Sequence, residues 1–386
     1  MAITNGATAR AQETPQPPAQ TSPPAKPAQA PKAKVTPAQP ATPMPRPAPT
    51  PRVYTTPRAD EDSETHATPL TMKVARNARI AVSSRMVNVR IIGIDGDTLE
   101  ATATSDEGTH TVKAQTSGDE ANPKIMIYVP LTPGRHTDRD VNLLIKLPRY
   151  APIEAVESLT GDIDVSGIDA PVVVNTNNGQ ITVARVASLK ASTRHGEITA
   201  REIKGDTTAR SSNGDLTLEN IGGDVDVAAI NGSLNVRNAA GDLRANLTVG
   251  EVVAYCIKGR AEVNTVSGSI QLFGVTGDVE AVSTSGEVTF AGRIRAGGRY
   301  KLKSISGAIE MHIQPDAPGF TATLMTYNGD IETLFPLKLD SQASGGSMNR
   351  RIIGRFGDGS AQLLLDSFNG GVRLAKAKPE ELKACK

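Results

Sequence analysis

The stretch Asn213-Gly214-Asp215-Leu216-Thr217-Leu218-Glu219-Asn220-Ile221-Gly222-Gly223-Asp224-Val225-Asp226-Val227 is answered eighteen residues later by Asn231-Gly232-Ser233-Leu234-Asn235-Val236 in the same pattern. Around it a glycine recurs every nine residues from Gly196 through Gly205, Gly214, Gly223, Gly232, Gly241, Gly250, Gly259, Gly268 and Gly277 to Gly286. Self-similarity at a fixed short period is the mark of a repeat architecture. The glycines alternate between two settings. One is Asn/Ser-Gly-polar-aliphatic, as in Ser267-Gly268-Ser269-Ile270; the other is mostly Gly-Asp-aliphatic, as in Gly241-Asp242-Leu243. The true repeat is therefore eighteen residues made of two halves of nine.

Each half continues with aliphatic residues two and four places after its glycine, such as Leu216 and Leu218 or Val225 and Val227. Period-two apolar spacing over four or five residues describes a strand with one buried face. Glycine beside Asn, Asp or Ser supplies the positive φ angles of a tight corner. One such strand cannot bury its apolar face alone, but coils stacked at about 4.8 Å build a continuous core. The fold class is all-β: a single-stranded β-solenoid, or β-helix, of about 18 residues per coil. Whether each coil holds two strands or three shorter ones is open at this level, as is its hand. A narrow interior suits aliphatic columns better than rings, in line with a chain that is 3% aromatic and has no Trp.

The repeat extends upstream to Thr160-Gly161-Asp162-Ile163 and, with looser spacing, downstream to Ser306-Gly307, Asn328-Gly329 and Asn369-Gly370. A Ser or Thr three residues before the first glycine of a coil recurs as Ser158, Thr176, Thr193, Ser211, Thr265, Ser283, Ser304, Thr326 and Ser367, broken by Ala229 and Leu247. Stacked corner hydroxyls are expected to satisfy backbone groups. Together with Val87-Asn88-Val89-Arg90-Ile91-Ile92-Gly93 and the closing Ser367-Phe368-Asn369-Gly370-Gly371-Val372-Arg373-Leu374, the coils resemble the bacterial putative-adhesin family, a strand-repeat domain of unknown function. The resemblance runs from about Val74 to Lys376. It implies a solenoid and export to the cell envelope, and it carries no catalytic site.

Composition divides the rest. Residues 1–58 hold fifteen of the 26 Pro and read as a disordered Pro/Ala-rich segment, partly polyproline II, followed by a linker over 59–73. Residues 74–150 show longer alternating strands, including Ala78–Val82, Val87–Ile91, Lys124–Val129 and Val141–Leu147, and read as an N-terminal β capping region. Such a cap is physically required because a solenoid end exposes an unpaired edge. Residues 151–376 form the repeat domain with a C-terminal cap that includes a loop at Gly345-Gly346, and 377–386 form a flexible tail.

No apolar run reaches the ~18 residues of a membrane span. Residues Ala2 to Thr8 lack the apolar core of a secretory signal, yet Ala9-Arg10-Ala11 before Gln12 resembles a cleavage end. The expectation is export, with the signal lost through a start assigned too far downstream; otherwise the chain is cytoplasmic. Cys256 and Cys385 read as two free thiols, one buried in a coil and one in the tail.

A net charge of +1 argues against nucleic-acid binding. His66, His110, His136, His195 and His312 are scattered without metal-ligand spacing, and no nucleophile–base motif or phosphate loop occurs. No catalytic, cofactor-binding or metal-binding residue is nominated, and no cofactor. The column Asp206, Asp224, Asp242 and Asp278, interrupted by Arg260, reads as turn support, with a weak cation site as the alternative. The functional expectation is a non-enzymatic, exported, monomeric adhesin-like or structural protein that presents a rigid repeat surface to an envelope polymer or protein. The alternative is a cytoplasmic self-assembling scaffold like bactofilin.

Overall fold

The computed structural model describes residues 69–106, 108–119, 122–130, 141–339, 350–383 and 385. The expectations for the Pro-rich segment 1–58, for most of the linker and for the Gly345-Gly346 loop fall outside these residues.

The eighteen-residue period becomes one coil of two strands. Leu216–Ile221 and Val225–Asn231 make a coil, and Leu234–Ala239 and Leu243–Val249 make the next, lying parallel with Leu216 opposite Leu234 and Val225 opposite Leu243. Two parallel ladders thus run the length of the repeat. Their bonds continue round the corners: Leu216 N–H donates to Ser233 O at 2.9 Å and Val225 N–H to Asp242 O at 2.8 Å. The inward residues Leu216, Leu218, Ile221, Val225 and Val227 are all at most 2% exposed, so the period-two pattern reports the core directly.

The two glycine columns do different work. In the Asn/Ser-Gly column the backbone is left-handed from Gly161 to Gly286, as at Gly232 (φ 141°), and a Cβ there would strike the carbonyl of Gly214 one coil back. In the Gly-Asp column, at Gly223 and Gly241, φ is not positive, which corrects the expectation for that half. Glycine is needed there because the previous coil's backbone and Asp carboxylate pass too close for a side chain.

Large rings do enter the interior, contrary to the sequence expectation. Phe290, Tyr300 and Phe320 are 0–1% exposed, and Phe290 packs on Tyr300 with centroids 5.5 Å apart. All lie where the nine-residue spacing has loosened and the coils are longer.

Both ends contain a coil out of chain order. The strand Arg79–Ile94 lies parallel between Val141–Pro148 and Ile163–Asn178, with Val89 opposite Leu143 on one side and Ile163 on the other. Outside it, Thr98–Ser105 and Lys113–Ser117 pair antiparallel with Val141–Pro148 and Lys124–Tyr128. At the other end Ala361–Asn369 lies between Arg299–Ser306 and Phe320–Asn328, and Arg350–Phe356 closes that edge antiparallel. The last coil in sequence is therefore the second to last in space.

Candidate functional site: a groove along the left-handed corner

At the corner opposite the Asn/Ser-Gly column, five residues with side chains adopt the left-handed conformation: Arg185, Glu202, Asn220, Asn238 and Cys256, with φ of 55–61°. The turn lets each strand send one outward residue and then drive the next back inside. Val186, Ile203, Ile221, Ala239 and Ile257 are accordingly buried. The following residue bonds to the coil before, as Gly222 N–H does to Ile203 O at 2.8 Å and Ala240 N–H to Ile221 O at 2.9 Å. Between the outward column and this return column lies an open groove of about 900 Å³. Gly222 and Ala240 keep one wall low, and Asn238 donates to Asn220 at 2.9 Å along the other.

Charge is concentrated at the groove's ends. Lys204 meets Asp169 at 2.6 Å, and that hydrogen bond, followed by the lysine charge, holds the Asp169 carboxyl below the usual range. Arg149 pairs with Asp95 at 3.1 Å. Arg185 and Lys258 have no ion-pair partner among the described residues. An apolar floor with carboxamide walls and flanking cations can bind a ligand through contact and hydrogen bonding; among the described residues lining it, no nucleophile is held by a base.

The groove ends at a covalent bond that corrects the reading of two free thiols. Cys256 and Cys385 form a disulfide with Cα atoms 5.3 Å apart. Cys256 is not an interior side chain: the left-handed turn aims it outward, and in register the next two positions of its column are Gly274 and Gly292. The missing side chains leave room for the C-terminal segment, and Cys385 Sγ lies 3.8 Å from Gly274 O. A glycine replacing Arg, Glu or Asn in the outward column was the available signal.

The Asn/Ser-Gly edge carries a second surface feature. The residue two places before each glycine points outward, and in spatial order the column reads Ile230, Thr248, Val266, Thr284, Ile305, Phe368 and Tyr327. Its apolar members are 40–54% exposed, and the Phe368 and Tyr327 rings stack 4.8 Å apart with 1° between planes. Six coil steps at about 4.8 Å make this ridge about 29 Å long.

The Asp column serves backbone groups. Asp206 accepts from Asp224 N–H at 3.0 Å, Asp224 from Asp242 N–H at 2.8 Å, and Asp242 from Arg260 N–H at 2.8 Å. The hydroxyl column divides. Ser283, Ser304, Thr326 and Ser367 donate to glycine carbonyls at 2.8–3.0 Å, whereas Thr176, Thr193, Ser211 and Thr265 are buried without a partner, so the expected role holds only in the C-terminal coils. His110 contacts Ser105 and His195 contacts Asn213; His312 bonds Glu381 at 2.8 Å; His66 and His136 lie outside the described residues. Among the described residues no three His, Cys, Asp or Glu side chains gather as a metal site, and no helix is long and apolar enough to cross a membrane.

The model of the family described as Toastrack DUF4097 matches the chain twice, over residues 77–258 and 254–375. Three solved structures are similar to parts of the chain. A putative cell adhesion protein from Clostridium sporogenes is 8% identical with a TM-score of 0.21, over 80% of this chain and 99% of its own. A putative adhesin from Parabacteroides merdae is 13% identical with a TM-score of 0.35, over 63% and 95%. One from Parabacteroides distasonis is 11% identical with a TM-score of 0.32, over 63% and 96%. No curated protein matches the chain.

Proposed function

The chain belongs to the Toastrack DUF4097 family, and from that premise we propose that it is a non-enzymatic, exported β-solenoid of the bacterial cell envelope that presents its repeat surface for adhesion. The observation that carries the reading is the Cys256–Cys385 bridge. Disulfides persist in oxidising compartments and are rare in a reducing cytoplasm, so the bridge favours the exported protein over the cytoplasmic scaffold. The exposed ridge from Ile230 to Tyr327, whose last three members Ile305, Phe368 and Tyr327 are apolar without interruption, supplies the adhesive surface, since exposed apolar patches mark interaction sites. Its partner is an envelope polymer or protein.

The test is fractionation of cells expressing the gene from its native upstream region, with alkylation at lysis and sequencing of the mature N-terminus. The expected result is envelope or secreted protein with Cys256 and Cys385 blocked from alkylation. A cytoplasmic protein that retains Met1 and alkylates at both cysteines overturns the reading and promotes the scaffold.

A further inference from the structure

We propose that the C-terminal segment, Lys378 to Lys383 together with Cys385, is a redox-released strap that plugs the corner groove at its C-terminal end. After Ala377, whose N–H donates to Ile313 O at 2.7 Å, the chain leaves the ladder and turns back along the coils already built. Glu381 accepts from Lys378 N–H at 2.7 Å and meets His312 Nδ1 at 2.8 Å, while His312 Nε2 lies 3.5 Å from Glu310. The short 3-10 turn Glu381–Lys383 packs against Val288–Gly292, and Cys385 then lies over Gly274 and bonds Cys256. The segment crosses three coil steps, about 14 Å at the strand spacing.

Two properties make it a strap and not a strand. The parallel ladder through Val252–Ile257, Ile270–Phe273, Val288–Gly292 and Ile309–Ile313 is complete without it. Among the described residues, those after Ala377 make no backbone hydrogen bond to any coil. What holds the strap is the Glu381–His312 pair at one end and the disulfide at the other. Cys385 is solvent-exposed, so a thiolate can reach its sulfur.

The release step balances with an external dithiol. One thiolate attacks Cys385 Sγ and expels the Cys256 thiolate, which takes up a proton. The second thiol, as its thiolate, displaces Cys385 from the mixed disulfide. The dithiol leaves oxidised to a cyclic disulfide, and both cysteines are reduced. The strap then remains on the Glu381–His312 pair and the packing of its short turn on Val288–Gly292, and with its release the trough over Gly274 and Gly292 joins the groove. Groove length is thereby set by redox state.

The experiment uses the full-length oxidised chain, so it reads the strap independently of where the cell places the protein. Hydrogen exchange by mass spectrometry and trypsin cleavage after Lys383 are followed with and without dithiothreitol, alongside Cys385→Ser and His312→Ala. Reduction and Cys385→Ser are each expected to raise exchange at Leu382 and cleavage after Lys383 by at least about tenfold, because both track the population of the open form. Exchange in the coils from Val252 to Ile313 is expected to stay within twofold, or about 0.4 kcal/mol at RT ≈ 0.59 kcal/mol. His312→Ala is expected to add to the effect of reduction. The proposal is overturned if the strap stays protected after reduction, or if the coils lose protection with it, which would make the bridge a structural staple. It is equally overturned if the purified, unreduced chain carries two free thiols.

Discussion

At the scale of single residues, the two corners of a coil both turn through positive φ but in different regions, and this decides which substitutions they tolerate. Gly232 combines a left-handed φ with the Gly214 carbonyl where a Cβ would sit, so Gly232→Ala is penalised both by conformation and by contact. A loss of more than about 2 kcal/mol is expected, read as a fall in the urea midpoint. Glu202 holds a φ of 56°, in the left-handed helical region that a residue with a side chain can enter, and its side chain lies in the open groove, so Glu202→Gly relieves strain while adding freedom to the unfolded chain. These terms are each about 1 kcal/mol and oppose, so its midpoint is expected to move by less than about 0.5 kcal/mol in equivalent stability. The first corner was legible because Gly after Asn or Ser states its conformation. The second was not: Arg185, Glu202 and Cys256 are not residues that announce φ > 0, and the disulfide joins positions 129 residues apart that only the stacking of coils brings together.

At the scale of the element, the carboxylates of the Gly-Asp corner tie coil to coil, and one of them, Asp278, gives the repeat an acid limit. Asp278 is the best placed. Burial raises its carboxyl, but the Arg295 hydrogen bond at 2.7 Å, the Arg299 N–H and the Arg295 charge outweigh that and hold it below the usual range. A carboxyl lowered in the folded state stabilises fully above its unfolded value of about 3.9 and loses that contribution as pH falls through the folded value. Thermal midpoints are therefore expected to be insensitive to this group above about pH 5 and to decline below about pH 4. Arg295→Gln should flatten that decline, and an unchanged acid limb in the variant would falsify the assignment. The order of coils at the ends is also an element-scale property, and sequence did not disclose it. Ala361–Asn369 and the glycine after it carry the same Ser-x-Asn-Gly signature as the interior coil at Ser211-Ser212-Asn213-Gly214, and nothing in a local pattern says that it inserts between Arg299–Ser306 and Phe320–Asn328. Removing residues 359–386 should accordingly take a partner from four strands at once, Arg299–Ser306, Ile309–Ile313, Phe320–Asn328 and Ile331–Thr333. Amides of Phe320–Asn328 are expected to lose exchange protection, while those of Leu216–Ile221 keep theirs.

For the molecule as a whole, surface and ends make separate demands. The ridge from Ile230 to Tyr327 sits on outward positions that contribute little to the core, so Phe368→Ser with Tyr327→Ser should leave the fold intact and weaken attachment of expressing cells to their surface. Loss of the ring stack costs about 0.5–1.5 kcal/mol at most, small against an adhesion defect read as bound cells. Parallel coils would otherwise template further coils without limit, since each exposes unpaired N–H and C=O groups along its edge. Here antiparallel strands stand beyond the parallel coils, Thr98–Ser105 with Leu70–Lys73 at one end and Arg350–Phe356 with Lys338–Leu339 at the other, in the wrong direction for another parallel coil to add. The intact chain is therefore expected to sediment as a single small species at any salt concentration. Proline at Ile353, which lies opposite Thr323 in the closing pair, should open that edge and drive concentration-dependent assembly. If the parent chain itself forms salt-resistant filaments, the antiparallel strands do not act as stops, and the scaffold reading regains its force.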